Sequence, residues 1–264
     1  MNESNASLAG LPARSVGMAD VVRAFLSYRD NLLFVVPCAV LIGMGLATGP
    51  RWSDALWFAF GWLVFLPQEW LTHVYILHWR GIKSETSYRW MYRLHYGHHD
   101  FPKRDDLMYM PLWLTLPTTA LNLVFFLWFA DALRDSLAAF AGALIGYIVF
   151  EWAHLLCHVP VLAKSAMWRR IRDRHLAHHY VNERHWFSVS PPAQFIDTLF
   201  RTGGKRQDVE KTGTGKLLLE DLDNDWVQRA RARFASRSSG DPTQSLIWVR
   251  HAESKRAVSR GENE

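Results

Sequence analysis

Leu107 to Ala130 is a run of 24 residues without a charge, long enough as a helix to span a hydrocarbon core of about 30 Å. Leu32 to Thr48 adds an uncharged stretch of 17 residues. Two shorter apolar stretches, Ala55 to Gln68 and Ser136 to Phe150, each run into a lone acid, Glu69 or Glu151, and then a tryptophan. Water-soluble folds have little use for such runs. The reading is an all-α integral membrane protein with four transmembrane helices.

The positive charges agree. Of the 30 Lys and Arg, three precede the first span, Arg51 alone follows it, six lie between Arg80 and Arg104, Arg134 alone occupies the third connection, and 19 follow from Lys164 onward. Connections rich and poor in positive charge alternate, which places both termini and the middle loop in the cytoplasm. The net charge of +5 is carried beside the spans, where it suits anionic lipid, and no nucleic-acid motif accompanies it. Cys38 and Cys157 offer no disulfide framework, and residues 1–30 hold no cleavable signal pattern. Three regions follow: 1–30, a cytosolic tail with an interfacial helix over Met18 to Arg29; 31–203, the membrane-embedded domain; and 204–264, a basic cytosolic tail. That last tail carries a short helix near Leu217 to Phe234 and ends in a disordered stretch.

Onto this frame the chain writes one histidine pattern twice. His73 and His78 precede His95, His98 and His99; His154 and His158 precede His175, His178 and His179. Corresponding members are 80 positions apart, or 81 for His73 and His154, and Glu69-Trp70 recurs as Glu151-Trp152. Of the twelve histidines only His185 and His251 fall outside. A mononuclear site takes about four protein ligands, so ten imidazoles point to two metals, and the repeat reads either as two copies of one unit, each able to supply half of a metal site, or as convergence under the same ligand geometry.

Positions i, i+3 and i+4 share a helix face, so each H-x-x-H-H triplet presents three rings together, as His154 and His158 present two. His73 and His78, at i and i+5, need a bulge or an approach from different sides. Imidazole suits Fe, Zn, Cu and Ni alike. A ligating ring usually gives its second nitrogen to a carboxylate or carbonyl, which makes Glu69, Glu151, Asp100, Asp173 and Asp197 the candidate partners. His185 is either such a support or merely polar, and Cys157 reads as a small apolar filler. No H-E-x-x-H occurs, against a metalloprotease, and ligands gathered at a cap rather than at mid-membrane argue against a transporter.

Over residues 55–203 these clusters resemble the fatty acid hydroxylase and sterol desaturase superfamily. Asn182, Phe187 and Asp197-Thr198-Leu199-Phe200 add to the likeness, with Ser188, Ile196 and Arg201 standing where that family usually has Gly, Trp and Gly. The resemblance implies four spanning helices under a cytosolic helical cap, with the ten histidines holding a dimetal centre where the cap meets the membrane. Asn182, His185 and Asp197 join Glu69 and Glu151 as residues that support the ligands.

It further implies two iron ions, with zinc possible in the isolated protein, and O2 as co-substrate. Two external electrons and two protons release water as a lipid C–H bond becomes an alcohol or, on loss of a second hydrogen, a double bond. No CxxC, flavin or heme motif is present, so the electrons come from an external ferredoxin or cytochrome, docked on the basic cap. The leading expectation is a lipid hydroxylase acting on an acyl chain or headgroup. The alternatives are a sterol or carotenoid desaturase or hydroxylase of the same superfamily, and a membrane zinc-binding paralogue without turnover.

Overall fold

The computed structural model describes residues 17–82, 84–159, 161, 165–212 and 224–235. His251, the first part of the N-terminal tail and the final stretch expected to be disordered lie outside these residues, as does 217–223 of the expected C-terminal helix. Among the described residues the fold is all-helical, with no strand. In chain order the helices are α1 (Met18–Ser27), α2 (Arg29–Ala47), α3 (Trp52–Leu71), α4 (Glu85–Met91), α5 (Gly97–Asp100), α6 (Asp105–Met108), α7 (Leu112–Phe129), α8 (Leu133–His158), α9 (Ala166–Tyr180), α10 (Gln194–Leu199) and α11 (Asp225–Ala235). Thr72–Leu77 continues α3 as a π-helix, and Tyr92–Tyr96 joins α4 to α5 as a second one.

Among the described residues three helices are long and apolar enough to cross a membrane: α2, α7 and α8. The flanks of α2 and α7 expose Leu33, Val36, Val40, Met44, Leu46, Leu116, Leu121, Val124 and Trp128, an apolar surface far beyond what a water-soluble monomer presents. Helix α8 sits inside them, packed on α2, α3 and α7. The 20-residue α3 lies along α8 with Asp54 and Glu69 near its two ends.

The two central helices run parallel and almost touch. A Cβ built on Gly61 would stand 1.7 Å from the Ala139 carbonyl oxygen, and one on Gly142 would stand 1.9 Å from that of Phe58. Ala139, Gly142, Ala143 and Gly146 form a stripe at helical spacing on α8, the small-residue seam that lets helix backbones approach in a membrane. Phe65 of α3 lies against Gly146, an offset of 81 positions, the same as that between His73 and His154. The sequence repeat is therefore the register of the α3/α8 pair. Arg134 fixes that register at the far end, donating to both carboxylate oxygens of Asp54 (2.7 and 2.5 Å) and to the Gly49 carbonyl (2.6 Å).

The uncharged run starting at Leu107 does not form a single span. Leu107 to Met110 are buried among the cap residues, and α7 begins at Leu112 after Pro111. Pro111 has no N–H to give a preceding turn, and the Met110 N–H is taken by Glu151 at 3.0 Å. The apolar face of α1 docks Val21 and Phe25 against Met108, Tyr109, Leu155 and Val159, leaving Met18, Val22 and Leu26 exposed one turn apart.

Candidate metal centre

At the C-terminal ends of α3 and α8 the ten clustered histidines meet. Of the two arrangements its spacing allowed, the i, i+5 pair takes the bulge: the His78 N–H donates to the His73 carbonyl at 3.1 Å, closing a π turn and making the fifth residue the near neighbour. The second π turn, Tyr92–Tyr96, was not anticipated. Its sequence signal is Gly97, whose added Cβ would meet the Tyr92 carbonyl oxygen at 2.7 Å and the Tyr92 ring at 2.8 Å.

The rings sort into two groups of five. His73, His78, His95, His99 and His178 form one; His98, His154, His158, His175 and His179 form the other; within each group the donor atoms lie within 4.8 Å of one another. The middle histidine of each triplet has crossed over. His98 leaves its own triplet for the group of the second repeat, and His178 makes the reverse exchange. Positions i+3 and i+4 lie to opposite sides of the line through i, so a triplet on one face can straddle two sites. His99 and His179 stack across the seam, ring centroids 4.3 Å apart.

The nitrogen geometry fits cations better than a hydrogen-bonded cluster. His95 Nε2 lies 3.1 Å from His73 Nε2, 3.2 Å from His78 Nε2 and 3.0 Å from His99 Nε2. A ring nitrogen has one proton or one lone pair, so it cannot satisfy three such neighbours. In the other group His154 to His98 and His158 to His175 are 2.8 Å, and His179 to His175 is 3.1 Å. Ligands about 2.1 Å from a shared ion at right angles would be about 3.0 Å apart. His178 is the sharpest case. Its Nδ1–H donates to the His185 carbonyl at 2.7 Å, and its buried Nε2 has no hydrogen-bond partner. Burial also holds the cap imidazoles His95, His98, His99, His175, His178 and His179 well below the ordinary histidine pKa, so they are neutral, as a metal ligand must be.

The carboxylates act one step further out than expected. The rings with a fixed outer nitrogen hold backbone: His73 Nδ1–H donates to the Phe187 carbonyl at 2.6 Å and His178 to that of His185. It is the His185 carbonyl, not its ring, that supports a candidate ligand. Glu69 accepts the N–H groups of Val189 (2.6 Å) and Ser190 (3.0 Å), while Glu151 accepts those of Met110 (3.0 Å) and the Tyr147 hydroxyl (2.8 Å). Asp197 accepts from Phe187 N and Ser188 N, both at 3.0 Å, and from Arg174 at 3.1 Å. These acids hold the loops that hold the rings, because a buried carboxylate is best satisfied by several N–H donors. Met110 and Ser190 are again 80 positions apart, and each is held by the glutamate of the other repeat.

Asn182 caps its own turn, accepting from Arg184 N and donating to the Glu210 carbonyl, both at 2.9 Å. Asp100 accepts from Tyr92 Oη at 2.7 Å and from Arg231 of α11 at 2.6 and 3.2 Å, an anchor the sequence did not announce. Ile196 fills the place expected for Trp and is buried against Leu66, Trp70, Phe187 and Ala193. Arg201, in a glycine place, has φ 59°, the left-handed backbone that explains a glycine preference there. Cys157 is buried in the apolar core and joins neither histidine group.

The Glu69 arrangement gives a first expectation. Glu69→Ala leaves two buried loop N–H groups without an acceptor, at about 1–3 kcal/mol each, whereas Glu69→Gln keeps a carbonyl oxygen at the same place. Thermal melts in detergent are expected to show a large drop for Ala and a small one for Gln. Equal drops would mean that the carboxylate charge, not the pair of acceptor contacts, sets the effect.

A family model for fatty acid hydroxylase matches residues 58–202. Among curated proteins, the rat (Rattus norvegicus) fatty acid 2-hydroxylase is 24% identical over 189 residues, covering 69% of this chain and 45% of its own length. The ceramide very long chain fatty acid hydroxylase SCS7 of Saccharomyces cerevisiae is 28% identical over 179 residues, covering 64% and 45%. The chain thus spans about half the length of the curated relatives it matches. The solved structure of full-length scs7p, of which only the hydroxylase domain is visible, superposes with a TM-score of 0.59 at 22% identity, over 76% of this chain and 71% of that one, and so shares the fold.

Proposed function

Because the chain belongs to the fatty acid hydroxylase family, we propose that it is a four-span membrane enzyme that hydroxylates a lipid, using O2 and two iron ions held by its ten clustered histidines. The observation that carries this reading is the pair of five-imidazole groups, whose nitrogens stand at ligand-to-ligand distances. In the first site the ligands are His73, His78, His95, His99 and His178; in the second they are His98, His154, His158, His175 and His179. Bound iron would supply the redox chemistry that an unactivated C–H bond demands and that no side chain provides.

The chain's own residues do the rest. The Phe187 and His185 carbonyls fix the tautomers of His73 and His178, leaving each Nε2 lone pair for the ion. Glu69, Asp197 and Glu151 lock the two loops over the rings, and Phe187 against His73, His78 and His178 and Phe150 against His154 keep water from their apolar sides. Helices α2, α3, α7 and α8 are the spans, and the basic cap faces the cytoplasm with both termini. A lipid substrate reaches the centre from the bilayer. Electrons arrive from an acidic ferredoxin- or cytochrome-type donor. A cleft of about 350 Å³ on the α9 side, lined by Arg169, Arg170, Arg174 and Arg206 with Asp173 among them, keeps a net positive charge to receive it.

Anaerobic purification followed by metal analysis and lipid mass spectrometry tests this reading. Expected are about two irons per chain, O2 uptake on adding reductant, and a lipid heavier by one oxygen atom in cells that carry the gene. Two inert zincs with no oxidised lipid would overturn it in favour of a structural zinc protein.

A further inference from the structure

Past its second histidine triplet the chain repeats the approach to a span and then stops short. Met110 and Ser190 are each followed by a proline and then by a helix, and the N–H of each is held by a buried glutamate, Glu151 on α8 or Glu69 on α3. After Pro111 that helix is the 18-residue α7; after Pro191 and Pro192 it is α10, six residues long. In the repeat, α10 stands where a span would begin. We propose that residues 191–200 dip into the cytoplasmic leaflet, with the exposed face of α10 against the acyl chains of the bilayer. The inference rests on the reading of α3 and α7 as spans.

Phe195, Leu199 and Phe200 are 55, 68 and 52% exposed, and the one charged residue between Pro191 and Phe200 is Asp197, which is fully buried. A water-facing helix of a cap carries its polar residues outside; here the arrangement is inverted. The depth follows from α3. Phe200 stacks on Trp70 with ring centroids 4.4 Å apart, and Ile196 is buried with Leu66 and Trp70. Trp70 is the next-to-last residue of the 20-residue α3, about 27 Å from its start at 1.5 Å per residue and so inside a hydrocarbon core of about 30 Å. Leu63, Leu66 and Trp70 share a face of α3. Helix α10 covers the last two and leaves Leu63 60% exposed, so lipid against a spanning α3 lies directly beneath α10. The backbone suits apolar surroundings, where every polar group needs a partner inside the protein. Pro191 and Pro192 have no N–H to satisfy, Ala193 N–H donates to the Ser190 carbonyl at 2.7 Å and Ile196 N–H to that of Ala193 at 2.9 Å. The Gln194 side-chain amide donates to the Val189 and Ser190 carbonyls at 3.1 and 2.9 Å. Arg201 then supplies an exposed positive charge at the level of the headgroups.

The test is spin-label accessibility in the full-length protein reconstituted into phosphatidylcholine liposomes. A nitroxide is attached to Phe195→Cys or Leu199→Cys, with Leu121→Cys on the exposed flank of α7 as the lipid reference and Gln207→Cys, exposed past the segment, as the water reference. The wild type sets the background, since Cys38 and Cys157 are both buried. Labels at 195 and 199 are expected to relax more with O2, which concentrates in lipid, than with a water-soluble nickel chelate, as at 121; the order should reverse at 207. Two positions on one face guard against a single variant that fails to fold. Chelate-dominated relaxation at 195 and 199 with a lipid-like 121 would put α10 in water and overturn the proposal alone. Labels screened from both reagents would mean that protein, such as a second copy of the chain, covers the face, and would overturn it as well. A water-like 121 defeats the span reading and this inference with it, whereas absence of lipid oxidation defeats the hydroxylase reading alone.

Discussion

Replacing His178 with Ala is expected to abolish lipid oxidation and to lower the metal content from about two ions per chain to about one. The loss should fall on the site otherwise built by His73, His78, His95 and His99, although His178 lies on α9 beside His175 and His179. Pairwise replacement shows why this matters. His178→Ala with His73→Ala removes two members of one group and should still leave about one metal. His178→Ala with His175→Ala touches positions three apart on one helix yet strikes both groups, and should leave almost none. Residues sharing a site are non-additive and residues in separate sites add, so metal stoichiometry across the two pairs reports the crossing directly. His98→Ala should mirror His178→Ala, and His251→Ala should leave metal and activity at wild-type levels. If the His73/His178 pair empties both sites while the His175/His178 pair empties one, the exchange of middle histidines is wrong.

Much of this was legible because ligand spacing and apolar runs are local signals. The ten histidines, the acids toward the ends of α3 and α8, and a bulge as one of two ways to bring together His73 and His78, which have four residues between them, can be read from the sequence alone. What could not be read is set by contacts between distant segments. A triplet at i, i+3 and i+4 shares a face in one helix, but which rings turn to which ion depends on the second triplet across the seam. The glutamates were expected to hold imidazoles, and a sequence cannot show that Val189, Ser190 and Met110 bring buried N–H groups that claim them first. The same capture explains why the uncharged run from Leu107 is part cap and part span: its first four residues are apolar because they are buried against protein, not lipid. The clasp of α11 joins Arg231 to Asp100 across more than a hundred residues, with no local pattern to announce it.

A large structural effect is expected at Gly142, which like Gly61 faces backbone across the seam. Even the single carbon of Gly142→Ala would stand 1.9 Å from the Phe58 carbonyl oxygen, and since the obstacle is backbone, no side-chain rotation relieves it. The helices must part. Overpacking a tight seam costs about 1–3 kcal/mol and occasionally more; a clash with a rigid helix backbone belongs at or above the upper end, and Gly142→Leu should prevent the folded protein from accumulating. Gly43 on α2 supplies the contrast, since an added Cβ there meets nothing within 4 Å. Gly43→Ala should be neutral or stabilising by up to about 1 kcal/mol from helix propensity. Melting curves in detergent, with metal analysis alongside, separate the two. The metal readout carries the argument further, because α3 leads into His73 and His78 while α8 carries His154 and His158, and their seam sets how far apart these rings stand. A widened seam should therefore lose metal even where Gly142→Ala still folds. A Gly142→Ala protein that melts within a few degrees of wild type and keeps both ions would mean that the close approach of α3 and α8 does not position the centre.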